Sequence, residues 1–362
     1  MKFAGVLLVG AQGSNKRYNH SDKRYNHMFV FGDSYADTGN LDKGLASSWR
    51  EPYGTTFPRK PSGRFSDGRV LTDFIGNYTK FLRIKSPIAY AQMKLGVKKL
   101  RHGMNFAFGG SGVFDTLGDF LPNMTTQIDY FEKLINDSVY TTLDLHSSVV
   151  LVALAGNDYG AFLANGGTNQ SIILYISFLL KNIICCINSQ GLRSFIPLVI
   201  NQLSTNLKRI QKMGATKVIV TALEPLGCLP RTTESSSFKK CNATQNLDVN
   251  FHNLLLRQTV AKLNNETNNP TFFILDLYKS FTTVLQRKNN HKGKLKFETP
   301  LKPCCMGISN EFSCGSADEN GTKLYKLCSN PKSAFFWDSS HPTQAGWKAV
   351  YTIVKSSLAQ LF

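Results

Sequence analysis

Met28-Phe29-Val30-Phe31-Gly32-Asp33-Ser34 runs four apolar residues into a turn that contains glycine. A short apolar run closed by turn residues reads as a strand buried on both faces. With 28–31, the stretches 149–155, 217–223 and 271–277 have this form. Helical periodicity separates them. Leu203, Leu207, Ile210 and Met213 share one face ahead of Gly214 as a C-cap, and Leu247, Phe251, Leu254, Leu255 and Leu263 mark a second amphipathic stretch. After Pro342, a last stripe is formed by Ala345, Ala349, Val350, Ile353 and Val354. Strands alternating with helices predict an α/β fold with a central parallel sheet and helices on both faces, in which functional groups gather at the carboxyl ends of strands. No linker or internal period divides the 362 residues, so the simplest reading is a single domain from residue 28 to the end.

The formal charge of +18 raises the question of a nucleic-acid partner. Its lysines and arginines are scattered, the densest groups being Lys98, Lys99 and Arg101 and then Arg287 to Lys296, with no zinc-finger or RNP pattern beside them. The expectation is no nucleic acid but a solvated basic surface, weakly attracted to an anionic wall polymer or membrane face.

Residues 1–13 have the outline of a signal peptide: one lysine, an apolar run from Phe3 to Ala11, and small residues after it. Residues 14–27 read as an N-terminal extension. Secretion is also indicated by Asn-x-Ser/Thr acceptors at Asn19, Asn77, Asn123, Asn136, Asn169, Asn242, Asn265 and Asn320, of which Asn77, Asn123, Asn136, Asn242, Asn265 and Asn320 are the glycosylation candidates. Cys228 and Cys241 bracket one loop, and Cys304, Cys305, Cys314 and Cys328 another. These six read as disulfides. Adjacent Cys304 and Cys305 do not readily pair with each other, which leaves two connectivities for that cluster. Neither C-x-x-C nor H-E-x-x-H spacing is present, so no metal is expected.

Residues 172–193 fit the pattern poorly. The run is apolar but interrupted by Lys181 and Asn182, too short and too polar for a stable membrane span. It reads as an atypical insert rich in residues of AT-rich codons, the signature of a retained intron.

Ser34 follows the first strand in a turn able to present its hydroxyl at the sheet edge. Near the C-terminus, Asp338-Ser-Ser-His341-Pro342 places a carboxylate three residues from a histidine, close enough to fix one tautomer and make a base for a serine. Donors for a developing oxyanion are available from Ser34 itself, from Asn105-Phe-Ala-Phe-Gly109-Gly110-Ser-Gly112, and from Ala155-Gly156-Asn157-Asp158 at the end of a strand. The glycine-rich loop lacks both G-x-G-x-x-G and Gly-Lys-Ser/Thr, so a nucleotide cofactor is not expected.

Phe-Gly-Asp-Ser34, the 105–112 block, Gly156-Asn157-Asp158 and Asp338-x-x-His341-Pro, in this order, resemble the four blocks of plant GDSL esterase/lipases, also called SGNH hydrolases. Ser62 to Arg69, Pro225 to Pro230 and Cys304-Cys305 are similar to plant members too. The resemblance implies a flavodoxin-like three-layer α/β/α domain. It also implies Ser34 as nucleophile, Asp338 and His341 as its partners, and an oxyanion hole of Ser34, Gly110 and Asn157, with Gly109 as the alternative one register away. No cofactor is implied. The expected reaction is hydrolysis of a carboxylic ester, small or polymer-linked, and the same residues would serve an acyltransferase. A catalytically silent carbohydrate- or lipid-binding protein is the alternative of another class. Tyr35 stands where the family's name has leucine, a change expected to alter only the rim beside Ser34.

Overall fold

The computed structural model describes residues 25–78, 84–95, 97–116, 118, 121–165, 191–267, 270–286 and 297–361. The expected signal peptide, residues 14–24 of the extension, and residues 172–190 of the atypical segment lie outside them.

Six parallel strands form the central sheet: β1 (His27–Gly32), β2 (Ile88–Ala89), β3 (Gly103–Asn105), β4 (Ser148–Ala153), β5 (Val218–Ala222) and β6 (Phe272–Asp276). Their order is β2-β3-β1-β4-β5-β6. Leaving out the two-residue β2, this is the 2-1-3-4-5 order of flavodoxin-like folds. The expectation of a three-layer α/β/α domain holds. All four strands read from the sequence exist, but the apolar run 149–155 outlasts its strand: β4 ends at Ala153, and Ala155 caps the next helix. The edge strand β2 and its neighbour β3 are too short, and β3 too polar, to carry a period.

The strands read as apolar runs because both faces are covered. Met28, Phe29, Val30 and Phe31 are fully buried, as are Val149, Val150 and Leu151 opposite them on β4. Phe29 packs on Phe131 of the helix Met124–Asn136 at 4.5 Å between ring centroids. The helix Leu192–Lys212 buries Leu203, Leu207 and Ile210 as its period predicts. Its C-cap is Met213, and Gly214 follows at φ 114°, the left-handed residue just beyond the cap.

The helix Ala243–Asn265 turns differently from its leucine pattern. Leu247 and Leu254 are 56% and 49% exposed, whereas His252 and Asn253 are buried. The reason is polar. Asn253 accepts from the Leu223 N–H at 2.8 Å and donates to the Leu223 carbonyl at 2.9 Å, closing the end of β5. His252 Nδ1 meets the Tyr159 hydroxyl at 2.5 Å. Two specific polar matches outweigh the exposure of two leucines.

A small antiparallel sheet of β7 (Cys305–Gly307) and β8 (Tyr325–Leu327) sits beside the C-terminal turn. Disulfides join Cys304 to Cys328 and Cys305 to Cys314, one of the two connectivities expected, and Cys228 to Cys241. Among the described residues, no helix is long and apolar enough to cross a membrane.

Candidate active site

β1 lies between β3 and β4, so the chain leaves it at the point where the strand order reverses, where α/β sheets open a crevice. Gly32 closes the strand, and a Cβ there would stand 2.2 Å from the Ala153 carbonyl oxygen. Only glycine lets β1 and β4 run this close before they part. The Asp33 carbonyl then accepts from the N–H groups of Ala36 and Asp37, making a helical turn on which Ser34 is 8% exposed.

His341 comes from the other end of the chain, just ahead of the helix Gln344–Ala359. Its Nε2 is 2.7 Å from Ser34 Oγ. Its Nδ1 lies 2.8 and 2.9 Å from the two carboxylate oxygens of Asp338. The three-residue spacing works because Asp338 Oδ1 also accepts from the N–H groups of Ser340 and His341, both at 2.9 Å, winding the turn around one carboxylate. Tyr53 donates to Asp338 Oδ2 at 2.7 Å. Burial pushes the Asp338 carboxyl up, but His341 and these donors outweigh it and hold the group below its ordinary range. The carboxylate is ionised and points its charge at Nδ1, which favours the tautomer with Nε2 free to accept a proton.

Two further blocks close the crevice. Asp37, buried, accepts from Gly39, Asn40, Leu41 and Gly109 N–H groups. Burial still raises its carboxyl to about 6 against those four donors. The Gly109 N–H is therefore committed to Asp37. Gly110, at φ 89°, lines the crevice, and neither its N–H nor that of Ser34 has a partner among the described residues. Asn157 follows β4 at the start of the helix Gly156–Ala164, with one Nδ2 hydrogen donated to the Ser111 carbonyl at 3.0 Å and the other left over. Ala155 before it adopts φ 109°, a left-handed conformation that costs on the order of 1–3 kcal/mol for a residue with a Cβ and gathers at functional sites.

Asp158 ties the two blocks together, accepting from Val113 and Phe114 N–H groups at 3.0 Å each. Burial raises its carboxyl to about 7. Asp33 and Glu224, which line the crevice with Ser34, are likewise raised by burial.

Ser34, Gly110, Asn157 and His341 thus line one cavity of ≈ 310 Å³. A neighbouring cavity of ≈ 490 Å³ shares Phe65 and His341 with it and reaches the disulfide-closed loop at Met306 and Phe312. Among the described residues no group of histidine, cysteine or acidic side chains could hold a metal.

Three participants were not foreseen. Tyr53 carries no local signal, lying 285 positions from Asp338, and Phe65, inside the Ser62 to Arg69 stretch whose likeness to plant members gave it no role, sets its ring 5.0 Å from that of His341 at a tilt of 32°. Tyr35 was expected only at the rim. Instead it is buried between Phe281, Trp347 and His341, and its hydroxyl donates to the Ser340 carbonyl. A leucine could fill that space but could not make the hydrogen bond.

The GDSL-like lipase/acylhydrolase family matches residues 28–354. The chain is 50% identical over 353 residues to GDSL esterase/lipase At5g03610 of Arabidopsis thaliana, covering 97% of this chain and 92% of that one. It is 45% identical to GDSL esterase/lipase At3g09930 of the same plant, covering 98% and 95%. Acetylajmalan esterase 1 of Rauvolfia serpentina is 27% identical over 97% of this chain and 91% of its own. With the motifs in order along the chain and the flavodoxin-like sheet beneath them, the chain belongs to the GDSL esterase/lipase family of carboxylic ester hydrolases.

Proposed function

We propose that this protein is a secreted serine esterase in which Ser34 is the nucleophile, His341 the general base and acid, and Asp338 the group that orients and stabilises His341. The observation that carries the reading is the continuous chain of hydrogen bonds from Ser34 Oγ to His341 Nε2 and from Nδ1 to Asp338. His341 takes the Ser34 proton as Oγ adds to the ester carbonyl, and the new alkoxide is met by the N–H groups of Ser34 and Gly110 and by Asn157 Nδ2. Collapse of the tetrahedral species expels the alcohol, which receives the proton from His341. Water then enters along the same path: His341 takes its proton as the oxygen adds to the acyl carbonyl, the bond from that carbon to Ser34 Oγ breaks to release the acid, and His341 returns the proton to Oγ. The commitment of the Gly109 N–H to Asp37 favours Gly110 over Gly109 as donor.

Three disulfides support an oxidising compartment, in keeping with secretion. The exposed sequons Asn136, Asn265 and Asn320 are open to glycosylation on that route. The cavity around Ser34 is small, which suits a short acyl group, and the second cavity beyond His341 offers room for the alcohol side.

Hydrolysis of p-nitrophenyl acetate and butyrate by wild type and Ser34→Ala tests the assignment. The expected result is a loss on the order of 10³-fold or more in kcat, the scale of triad removal. Equal rates in the two proteins would end the role of Ser34.

A further inference from the structure

A groove separate from the catalytic crevice runs along the far side of the 38–65 segment. It consists of two adjoining cavities of ≈ 620 and ≈ 470 Å³ that share Thr38, Arg64 and Gln92. Lys43, Lys60, Arg69, Lys85 and Arg101 line it, together with Arg64. The single acid in either lining is Asp73, and it is consumed by Arg64, which grips both its oxygens at 2.8 and 3.0 Å. None of the other five cations is paired with a carboxylate among the described residues. Elsewhere on this surface some cations do find carboxylates, as Lys133 does with Asp137, Lys208 with Glu266, and Arg209 with Asp129 and Glu132.

Several of the groove cations are held in place without being neutralised. The Arg69 guanidinium stacks 3.8 Å above the Phe57 ring and donates to Gln344 Oε1. The Lys43 ammonium sits 5.1 Å from the Trp49 ring. Arg101 Nε donates to His102 Nε2 at 3.4 Å. Fixing a long cationic side chain before binding removes part of the entropy cost of immobilising it on a ligand. Concave shape, like charge, aromatic and hydroxyl lining, and preordered cations together describe a seat for an extended polyanion. A flat lipid surface could not reach into the groove.

We propose that this groove binds an acidic polysaccharide, a chain bearing carboxylates along its length, and holds it beside the catalytic crevice. The two sites share a wall: Leu41 lines the crevice and accepts a hydrogen bond at 2.7 Å from Trp49 Nε1 of the groove, and Phe65 of the crevice adjoins Arg64 of the groove. A polymer seated there presents its ester substituents to Ser34. That last step rests on the esterase reading above; the binding does not.

Polygalacturonate is the probe, with uncharged dextran as its control, and binding is measured by calorimetry on the full-length protein. Wild type and Ser34→Ala bind polygalacturonate alike, bind no dextran, and weaken steadily as salt is raised. Replacing Lys43, Lys60, Lys85 and Arg101 together by glutamine weakens binding by about tenfold or more, while a charge-matched set at Lys212, Lys262, Lys279 and Lys348 changes it by less than about twofold. Equal loss in both sets would show mere net charge and overturn the groove, as would absence of binding by wild type. Tighter binding to phosphatidylserine vesicles, abolished by the same four substitutions, would assign the surface to a membrane instead. Because binding is read in Ser34→Ala as well, failure of the esterase assignment and failure of the groove give different results.

Discussion

The Tyr35 hydroxyl donates to the Ser340 carbonyl at 2.9 Å, so the residue after Ser34 is bonded to the residue before His341. Two segments 305 positions apart in the chain are thereby fixed to each other at the Ser34 to His341 contact. We propose Tyr35 as a positioning residue. Tyr35→Phe keeps the ring packing against Phe281 and Trp347 and removes only the donor. One lost hydrogen bond of about 1 kcal/mol predicts a fall in kcat of about fivefold with KM nearly unchanged. Steady-state kinetics on p-nitrophenyl butyrate read this directly. A lower melting temperature with kcat intact would reduce Tyr35 to a structural role.

Asn157 and Gly109 separate the oxyanion donors from the scaffold. In the proposed mechanism Asn157→Ala removes a donor to the developing charge, and kcat is expected to fall about 10²- to 10³-fold. Gly109→Ala acts differently: its Cβ would stand 2.4 Å from the Phe65 ring, which packs against His341. Rate and KM both change there, because Phe65 must shift while the Asp37 hydrogen bond stays. If Asn157→Ala raises KM and leaves kcat alone, the amide serves ground-state binding only.

Much of the site is legible in the sequence because its parts are local. Gly32-Asp33-Ser34 couples a strand end to a turn, and Asp338 with His341 is a complete carboxylate and imidazole unit within four residues. What escapes is contact made by topology. Tyr53 reaches Asp338 through a long loop, and Asp37 reaches Gly109 because β3 lies next to β1. β2 and β3 are read by their neighbours rather than by any period of their own. The leucine pattern of the helix Ala243–Asn265 misleads for the same reason, since Asn253 is buried by its match to the Leu223 backbone.

His252 supplies a test of pH dependence. Burial lowers its pKa to about 3, and its Nδ1 already meets the Tyr159 hydroxyl, so it stays neutral in the folded protein. The unfolded chain takes up that proton near the ordinary value of about 6.5. Between those values the unfolded state binds more protons, and the contribution of His252 to stability falls as pH drops, by at most about 1.4 kcal/mol per pH unit. His252→Gln lacks this term. Urea unfolding at pH 7.0 and 4.5 is expected to show the wild-type advantage over the variant shrinking at the lower pH. Parallel losses in both proteins would contradict the assignment.

The proposed nucleophile is Ser34, activated by His341. Incubation with diisopropyl fluorophosphate followed by peptide mass spectrometry tests it most directly. One phosphoryl adduct per chain is expected, on the peptide carrying Ser34, forming with the same time course as loss of esterase activity and suppressed in His341→Ala. An adduct on another residue accompanying that loss, or full inactivation with Ser34 unmodified, would contradict it.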